Sequence, residues 1–129
     1  MAVDKTSLSA GLIINDILTA DAGVAAITQK IIPVITDEAR LPYVIYRRSG
    51  LEQQPTKGMR PNDTADVEII CCAESYKASI ELAEAVRAAL DCKQAESNGM
   101  VMRSCIMTDA SEGYQDDAYV QNLLFTIKI

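Results

Sequence analysis

The sequence contains no histidine, and none of its four cysteines has the spacing of a metal-binding or redox motif. Histidine is the commonest metal ligand and general base near neutral pH, so its absence removes the ordinary forms of both. Cys71 and Cys72 are adjacent, Cys92 and Cys105 stand alone, and no CxxC pair occurs. GxGxxG and GxxxxGK motifs are also absent, which excludes the usual nucleotide-binding loops. We therefore expect a protein that is not an enzyme and that needs no metal or other cofactor.

Basic residues are in the minority, with 12 Lys and Arg against 18 Asp and Glu, for a net charge of −6. An acidic surface repels phosphate backbones, so general binding of nucleic acid is not expected, although DNA could slide past without being held. The apolar run at residues 8–18 is interrupted by Asn15 and Asp16, and it is too short for a membrane span. No convincing signal-peptide cleavage site follows that run. We expect a protein of the cytoplasm, with reduced thiols and no membrane contact.

The length and composition predict one globular domain over residues 1–129. A chain of 129 residues is close to the usual size of a single domain and too short for two well-buried cores. Its hydrophobic fraction of 49% is sufficient to fill a core without disulfides or metal ions.

Three helices are predicted from caps and from apolar periodicity. Ser7 is a candidate cap for a helix over residues 7–19, and Asp21 is one for a short second helix. Ser75 is expected to cap the longest helix, at residues 76–90. The expected apolar stripe of the first helix consists of Leu8, Leu12, Ile13, Ile17 and Leu18. That of the long helix consists of Tyr76, Ile80, Ala83, Val86 and Leu90.

Strands are predicted at residues 43–48, 67–73, 101–107 and 119–129, where β-branched and aromatic residues dominate or alternate. In the last strand, alternate residues are expected to share one face: Tyr119, Gln121, Leu123, Phe125, Ile127 and Ile129. A brief extended piece at residues 31–34 contains Pro33, which denies it a central place in a sheet. The segments 50–65, 94–99 and 109–117 are predicted to be a long loop, a turn and an acidic loop. The fold class is therefore α+β, with an antiparallel or mixed sheet of about four to five strands. One long helix and one or two shorter helices are expected to pack against it.

The cysteine pair has two interpretations, one as a redox or nucleophilic site and one as part of the core. Neighbouring residues on a strand point to opposite faces, so Cys71 and Cys72 are expected to separate. Buried cysteine behaves as a small hydrophobic residue, and this is the prediction for both. The acidic segment lacks the glycine and the twelve-residue frame of a calcium loop, so it is predicted to be solvated rather than a cation site.

Opposite charges are segregated along the chain. Five of the twelve basic residues lie between positions 40 and 60, against the single acid Glu52: Arg40, Arg47, Arg48, Lys57 and Arg60. Four acids and no base lie between positions 109 and 117: Asp109, Glu112, Asp116 and Asp117. This segregation is either chance clustering on a solvated surface or a heterologous contact in which the basic region of one subunit meets the acidic region of the next.

The sequence resembles a family of bacteriophage tail-completion, or tail-terminator, proteins. The resemblance rests on the "LPYVIYRR" strand at 41–48, on the strand–helix join "VEIICCAESYKASIELAEAVRAALD" at 67–91 and on the final strand "YVQNLLFTIKI" at 119–129. The order helix, strand, long loop, strand, long helix and hairpin covers essentially the whole chain.

The resemblance implies a structural protein that caps the head-proximal end of a tail tube, stops tube polymerisation and helps to join tail to head. It implies a ring of identical subunits, taken to be a hexamer, with the tail tube protein and a head-side connector protein as partners. Association of free subunits is expected to be weak. The resemblance further implies that DNA passes through the lumen without specific binding and that the protein is located in the virion, at the head–tail junction.

The residues proposed for the subunit or tail-tube interface are Arg47, Arg48, Lys57, Arg60, Asp109, Glu112, Asp116 and Asp117. Two other classes of function stay open at this point. One is a different protein of the phage neck, such as a head-closure or adaptor subunit. The other is a small-molecule-binding domain or minor enzyme subunit that uses Cys71 or Cys72.

Overall fold

A computed structural model describes residues 7–34, 40–55, 61–97 and 100–128. A 3₁₀ turn, Ser7–Ser9, leads into the helices α1 (Ala10–Ala20) and α2 (Ala22–Ala25). The rest of the chain contains β1 (Ile31–Pro33), β2 (Tyr43–Pro55), β3 (Pro61–Ala73), α3 (Tyr76–Leu90), β4 (Ala95–Ser97), β5 (Met100–Met102), β6 (Ser104–Gln115) and β7 (Ala118–Lys128).

Five strands form one mixed sheet in the order β1-β2-β3-β7-β6, and β4 and β5 form a separate small hairpin. Strand β1 runs parallel to β2, and the other neighbours in the main sheet are antiparallel. Strand β7 lies between β3 and β6, so α3 connects two parallel strands that do not touch. The predicted α+β class and mixed sheet are confirmed, and β1, which contains Pro33, is an edge strand as expected.

The helix caps are confirmed at two of the three predicted positions. The Asp21 carboxylate accepts a hydrogen bond from the Val24 N–H at 3.0 Å, and the Ser75 hydroxyl accepts one from the Ala78 N–H at 3.1 Å. The first helix differs from the prediction, because a 3₁₀ turn occupies its expected start and α1 begins at Ala10. Ser9 precedes α1 without a side-chain capping bond.

The core lies between the helices and one face of the sheet. Buried residues of α1, α2 and α3 form one cluster with Val67 and Ile69 of β3 and with the predicted inward row of β7, which includes Leu123, Phe125 and Ile127. Full burial of such side chains contributes about 1.5–3 kcal/mol each. The alternation predicted for the last strand is therefore confirmed.

The buried face of α3 differs in part from the predicted stripe. Ala83, Val86 and Leu90 are buried as expected, together with Ser79, Leu82 and Ala89. Tyr76 is instead exposed, because it lies in the first turn of the helix, beyond the core, and packs against the β6–β7 hairpin.

The segment 50–65 was predicted to be a loop, and this prediction is wrong for residues 50–55 and 61–65, whereas residues 56–60 lie outside the described residues. Strands β2 and β3 extend into it as a long antiparallel arm whose last pair joins Pro55 to Pro61. Prolines at strand ends leave the ladder between them intact, and a register shift between Arg48 and Gly50 makes Ser49 the extra residue of a bulge. Cross-strand pairing therefore outweighs the weak strand propensity of these residues.

The acidic segment 109–117 was also predicted to be a loop, and it is a hairpin. Strand β6 continues to Gln115, which pairs with Ala118, so only Asp116 and Asp117 form the turn. Both have positive φ, 53° and 61°, as a two-residue type I′ turn requires, and aspartate tolerates this conformation. The strand predicted at 101–107 is divided at Arg103, and Ala95–Ser97 of the predicted turn is strand β4.

Candidate assembly surfaces

The two groups of predicted interface charges lie toward opposite edges of the same sheet. Arg47 and Arg48 belong to β2, directly beyond the point where β1 stops covering its outer edge. Asp109 and Glu112 belong to β6, the opposite edge strand, and Asp116 and Asp117 form its turn. Three strand spacings, about 14 Å, separate β2 from β6. The fold therefore keeps the two groups apart within one chain. Lys57 and Arg60 lie outside the described residues.

The two arginines make their contacts on different faces of β2. The Arg47 guanidinium lies 3.5 Å from the Glu68 carboxylate on the helix-free face of the sheet. The Arg48 guanidinium donates a hydrogen bond to the Leu8 carbonyl oxygen, at 2.9 Å, on the helix side. Arg47 thus has an acidic partner in its own chain, but that partner is not one of the four predicted acids. Exposed pairs of this kind contribute only about 0–1 kcal/mol, so Arg47 can exchange partners at small cost.

An apolar cleft of about 580 Å³ lies beside these arginines. Its lining includes Leu8, Leu12, Val34 and Tyr46, with Arg47 and Arg48 at the rim. The side chains of Leu12 and Val34 are 45% and 63% exposed. Tyr46 itself is only 8% exposed, and its ring edge packs against Gly11, where an added Cβ would lie 3.5 Å away.

The cleft contradicts part of the predicted stripe of the first helix, of which Ile13 and Leu18 are buried as expected. Leu8 and Leu12 were expected to face the core, but Ala10, Ile13, Ile14 and Leu18 are the buried residues. Leu8 and Leu12 form a row at i, i+4 spacing, and Ile14 and Leu18 form another on a different face of the helix. An apolar residue on both faces was the signal in the sequence that one face serves a surface rather than the core.

Val34, which lines the cleft, has an unusual backbone conformation. Its φ is +67°, a left-handed conformation that β-branched residues rarely adopt. Its N–H donates to the Tyr46 carbonyl oxygen at 2.8 Å, which holds the residue against β2. The backbone therefore holds an apolar side chain at an exposed and strained position.

At the opposite edge, the β6–β7 hairpin carries a cluster of three tyrosines. The Tyr119 ring packs edge-to-face against Tyr114, at 5.0 Å between centroids, and against Tyr76, at 6.2 Å. Tyr114 is the most exposed of the three that the cluster contains, with 62% of its surface accessible. Its hydroxyl donates to the Asp117 carboxylate at 3.3 Å, and the Asp117 charge raises the pKa of Tyr114. This cluster could not be predicted from the sequence, because Tyr76 lies far from Tyr114 and Tyr119 along the chain.

Glu112 has partners inside the chain. Its carboxylate accepts hydrogen bonds from the Tyr76 hydroxyl at 2.9 Å and from the Gln121 amide at 3.2 Å. The bond from Tyr76 to Glu112 raises the pKa of Tyr76 and connects the hairpin to the first turn of α3. Glu112 is thus held within its own chain, whereas Asp116 and Asp117 lie in the turn at the end of the hairpin.

The cysteines divide into three buried thiols and one exposed thiol. Cys71 and Cys72 lie on opposite faces of β3, as predicted, and both are buried together with Cys105. Burial raises the pKa of Cys71 far above its ordinary value and, with the nearby Asp91 charge, raises that of Cys105 to about 12. Cys92 is exposed. Because the thiolate is the reactive form, the buried three are suited to packing rather than to nucleophilic chemistry.

Within the described ranges, no three Cys, Asp or Glu residues converge as a set of metal ligands. In the same residues, no helix combines the length and the apolar character needed to cross a membrane.

Together, these observations describe an α+β fold with helices on one face of the sheet and two chemically different exposed surfaces at opposite sheet edges. No protein-family model matches the sequence, and no curated protein matches it. A solved structure with the same fold is a chain of the virion of a native gene transfer agent (GTA) particle. It superposes with a TM-score of 0.77 at 17% sequence identity, over 89% of this chain and 90% of that chain. At this identity the likeness establishes the shared fold.

Proposed function

We propose that this protein is a structural subunit of a phage-type virion that caps the head-proximal end of the tail tube as a ring. The observation that carries the proposal is the shared fold, over nearly the full length of both chains, with a chain of a gene transfer agent virion. The resemblance of the strand and helix segments to tail-completion proteins supports the finer assignment to the tube end. In this role the protein is not an enzyme.

The geometry of the two edges supports a ring. A contact between two different surfaces of identical subunits is heterologous, and it closes into a ring when the rotation between neighbours divides a full turn. The arginines of β2 and the acids at the β6–β7 turn are such a pair, because they lie at opposite edges of one rigid sheet. Charge complementarity then sets the register of neighbouring subunits more than their affinity.

The net charge of −6 fits the passage of DNA through the ring. An acidic surface gives no attractive electrostatic contribution to phosphate binding, so DNA can move through the lumen without being held. The tail tube protein on one side of the ring and a head-side connector protein on the other are the partners that this role requires.

The test is a tube-elongation assay with the tail tube protein of the same virion. Purified tube protein is polymerised with and without the chain, and tube lengths and a gold-labelled chain are followed by electron microscopy. We expect the label at one end of each tube and no further growth when fresh tube protein is added. Val101→Ser, which removes an exposed apolar side chain away from both edges, is the matched control and should cap normally.

The assay also separates this role from that of another neck protein. Label on isolated heads and none on tubes would support a head-closure or adaptor subunit and contradict the tube-end role. Label along the whole tube, or growth that continues unchanged, would contradict capping as well.

A further inference from the structure

We infer that the β6–β7 hairpin end of one copy, with Tyr114 at its centre, inserts into the cleft formed by Leu8, Leu12, Val34 and Tyr46 of a second copy. This inference deepens the proposed ring, and it rests on the proposed function only for its occupant, a second copy of this chain. Exposed ion pairs alone contribute too little to hold subunits together, and the inserted hairpin would supply the additional apolar contact.

The cleft has the size and the chemistry for an aromatic side chain. A dry apolar cavity of about 150 Å³ is known to admit benzene, so a cleft of about 580 Å³ accommodates a phenol ring together with its neighbouring backbone. Leu12 and Val34 are large apolar residues that remain exposed in the single chain. Contiguous exposed apolar side chains of this kind mark interaction sites.

The hairpin end has the complementary features. Tyr114 is mostly exposed, although its ring is fixed by the edge-to-face contact with Tyr119. A ring that is already ordered loses little conformational entropy on binding, which is one reason that tyrosine is frequent at the energetic centres of interfaces.

The charges around the two surfaces are also complementary. Asp116 and Asp117 lie at the hairpin turn, and Arg47 and Arg48 lie at the rim of the cleft. Desolvation by the apolar contact strengthens the attraction between rim charges, whereas like charges would meet if either surface bound a copy of itself. The pairing of hairpin with cleft is thus favoured over hairpin with hairpin or cleft with cleft.

The position of both surfaces makes the contact intermolecular. They lie at opposite edges of the five-stranded sheet, so the hairpin of a chain does not reach its own cleft. Each copy then has one hairpin and one cleft to offer, as a closed ring requires.

The inference is tested by disulfide trapping between two chains that both carry Cys92→Ser, which removes the exposed native thiol. One chain carries Ser9→Cys, at the lining of the cleft, and the other carries Gln115→Cys, beside Tyr114. Trapping captures contacts that are too brief to detect by size. The reference pair replaces Ser9→Cys with Val101→Cys, an exposed position away from both surfaces.

We expect the cleft–hairpin pair to form a mixed disulfide at least tenfold faster than the reference pair. The rate should fall to the reference level when Tyr114→Ser is added and stay within about twofold when Tyr114→Phe is added, since the phenylalanine keeps the ring. Unfolding midpoints of all variants establish that they are folded. Equal rates for the two pairs would overturn the inference, as would a fast pair that is unaffected by Tyr114→Ser or a faster disulfide between two Gln115→Cys chains.

The trapping experiment and the capping assay test the interface and the proposed function separately. Failure of trapping with normal capping of tubes would remove this interface and leave the tube-end role. Specific trapping without binding to tubes would leave the interface and remove the role.

Discussion

The Asp91 carboxylate accepts a hydrogen bond from the Met107 N–H at 3.0 Å and so ties the C-terminal end of α3 to the outer edge of β6. A second bond, from the Cys92 N–H to the Cys105 carbonyl oxygen at 2.7 Å, covers the same edge one pair earlier. The first part of β6 is thereby closed to further strand pairing. The acidic part of the strand and its tyrosine cluster lie beyond this contact, toward the turn.

This contact predicts a dependence of stability on pH. The hydrogen bond from Met107 is the main reason that the pKa of Asp91 is lowered; burial opposes it and the Arg87 guanidinium adds to it. A group with a lowered folded pKa stabilises the protein above its unfolded pKa, about 3.9, and loses this contribution as the pH falls through the folded value. The difference in unfolding free energy between wild type and Asp91→Asn should therefore shrink between pH 5 and pH 2. Glu84→Gln controls for net charge, and a difference that stays constant with pH would contradict this account.

The buried thiols predict a graded response to labelling and to substitution. A thiol-reactive probe should modify Cys92 rapidly in the native protein and the other three only on unfolding, because burial raises the pKa of Cys71 and Cys105. Cys71→Ser should lower the free energy of unfolding by roughly 1–3 kcal/mol, measured by chemical denaturation. Cys92→Ser should leave it nearly unchanged. Rapid native labelling of more than one thiol would show that the packing around β3 is different.

Val34 offers a substitution that separates stability from assembly. A left-handed conformation costs an L-residue roughly 1–2 kcal/mol, and glycine avoids this cost while losing about 0.5–1 kcal/mol through unfolded-state entropy. Val34→Gly should therefore leave the unfolding free energy unchanged or raise it by up to about 1 kcal/mol. It should nevertheless weaken disulfide trapping, because an exposed apolar side chain leaves the cleft. Val101→Gly is the control, and equal destabilisation by both would exclude strain at Val34.

Charge reversal tests whether the two sheet edges meet. Arg47→Glu with Arg48→Glu should weaken capping and trapping while the chain remains folded, and raised salt should reproduce the loss, because exposed charges are screened within roughly 10 Å at 0.1 M. Adding Asp116→Lys and Asp117→Lys should restore part of the activity. Lys93→Glu with Lys128→Glu, which makes the same change of net charge elsewhere, should have little effect.

A further control concerns the turn itself. Asp116→Asn with Asp117→Gly neutralises the two charges but keeps residues that favour positive φ, and it should not restore the reversed chain. Normal capping by the Arg47 and Arg48 reversal at every salt concentration would identify these residues as solvated surface.

The elements that enclose the core could be predicted from the sequence. The alternation around Phe125, the caps Asp21 and Ser75 and the edge position of Pro33 are local patterns with one physical solution. The hairpin arms were misassigned as loops because they extend beyond the core, where polar residues on both faces conceal the strand period. Only the partner strand, which is distant in sequence, reveals that Gly50 and Asp109 belong to a sheet.

For a similar reason, the candidate surfaces could be predicted from the sequence only in part. Charge segregation can be read directly from the sequence, and it led to the prediction of Arg47 and Asp117 as interface residues, which stays a prediction. The cleft was missed because Leu8 and Leu12 fit a core stripe as well as a surface row, and packing alone decides between the two. The tyrosine cluster joins Tyr76, Tyr114 and Tyr119 across α3 and both strands of the hairpin, so only the fold brings them together.

The most direct measurement is a cryo-electron microscopy map of the particle that carries this gene, at a resolution that resolves strands at the head–tail junction. We predict one ring of identical subunits on the head-proximal end of the tail tube that fits this fold. Within it, the Tyr114 hairpin of each subunit should lie in the Leu12–Val34 cleft of the next. Density for this chain at any other place in the particle, or absence of the chain from the particle, would contradict the account.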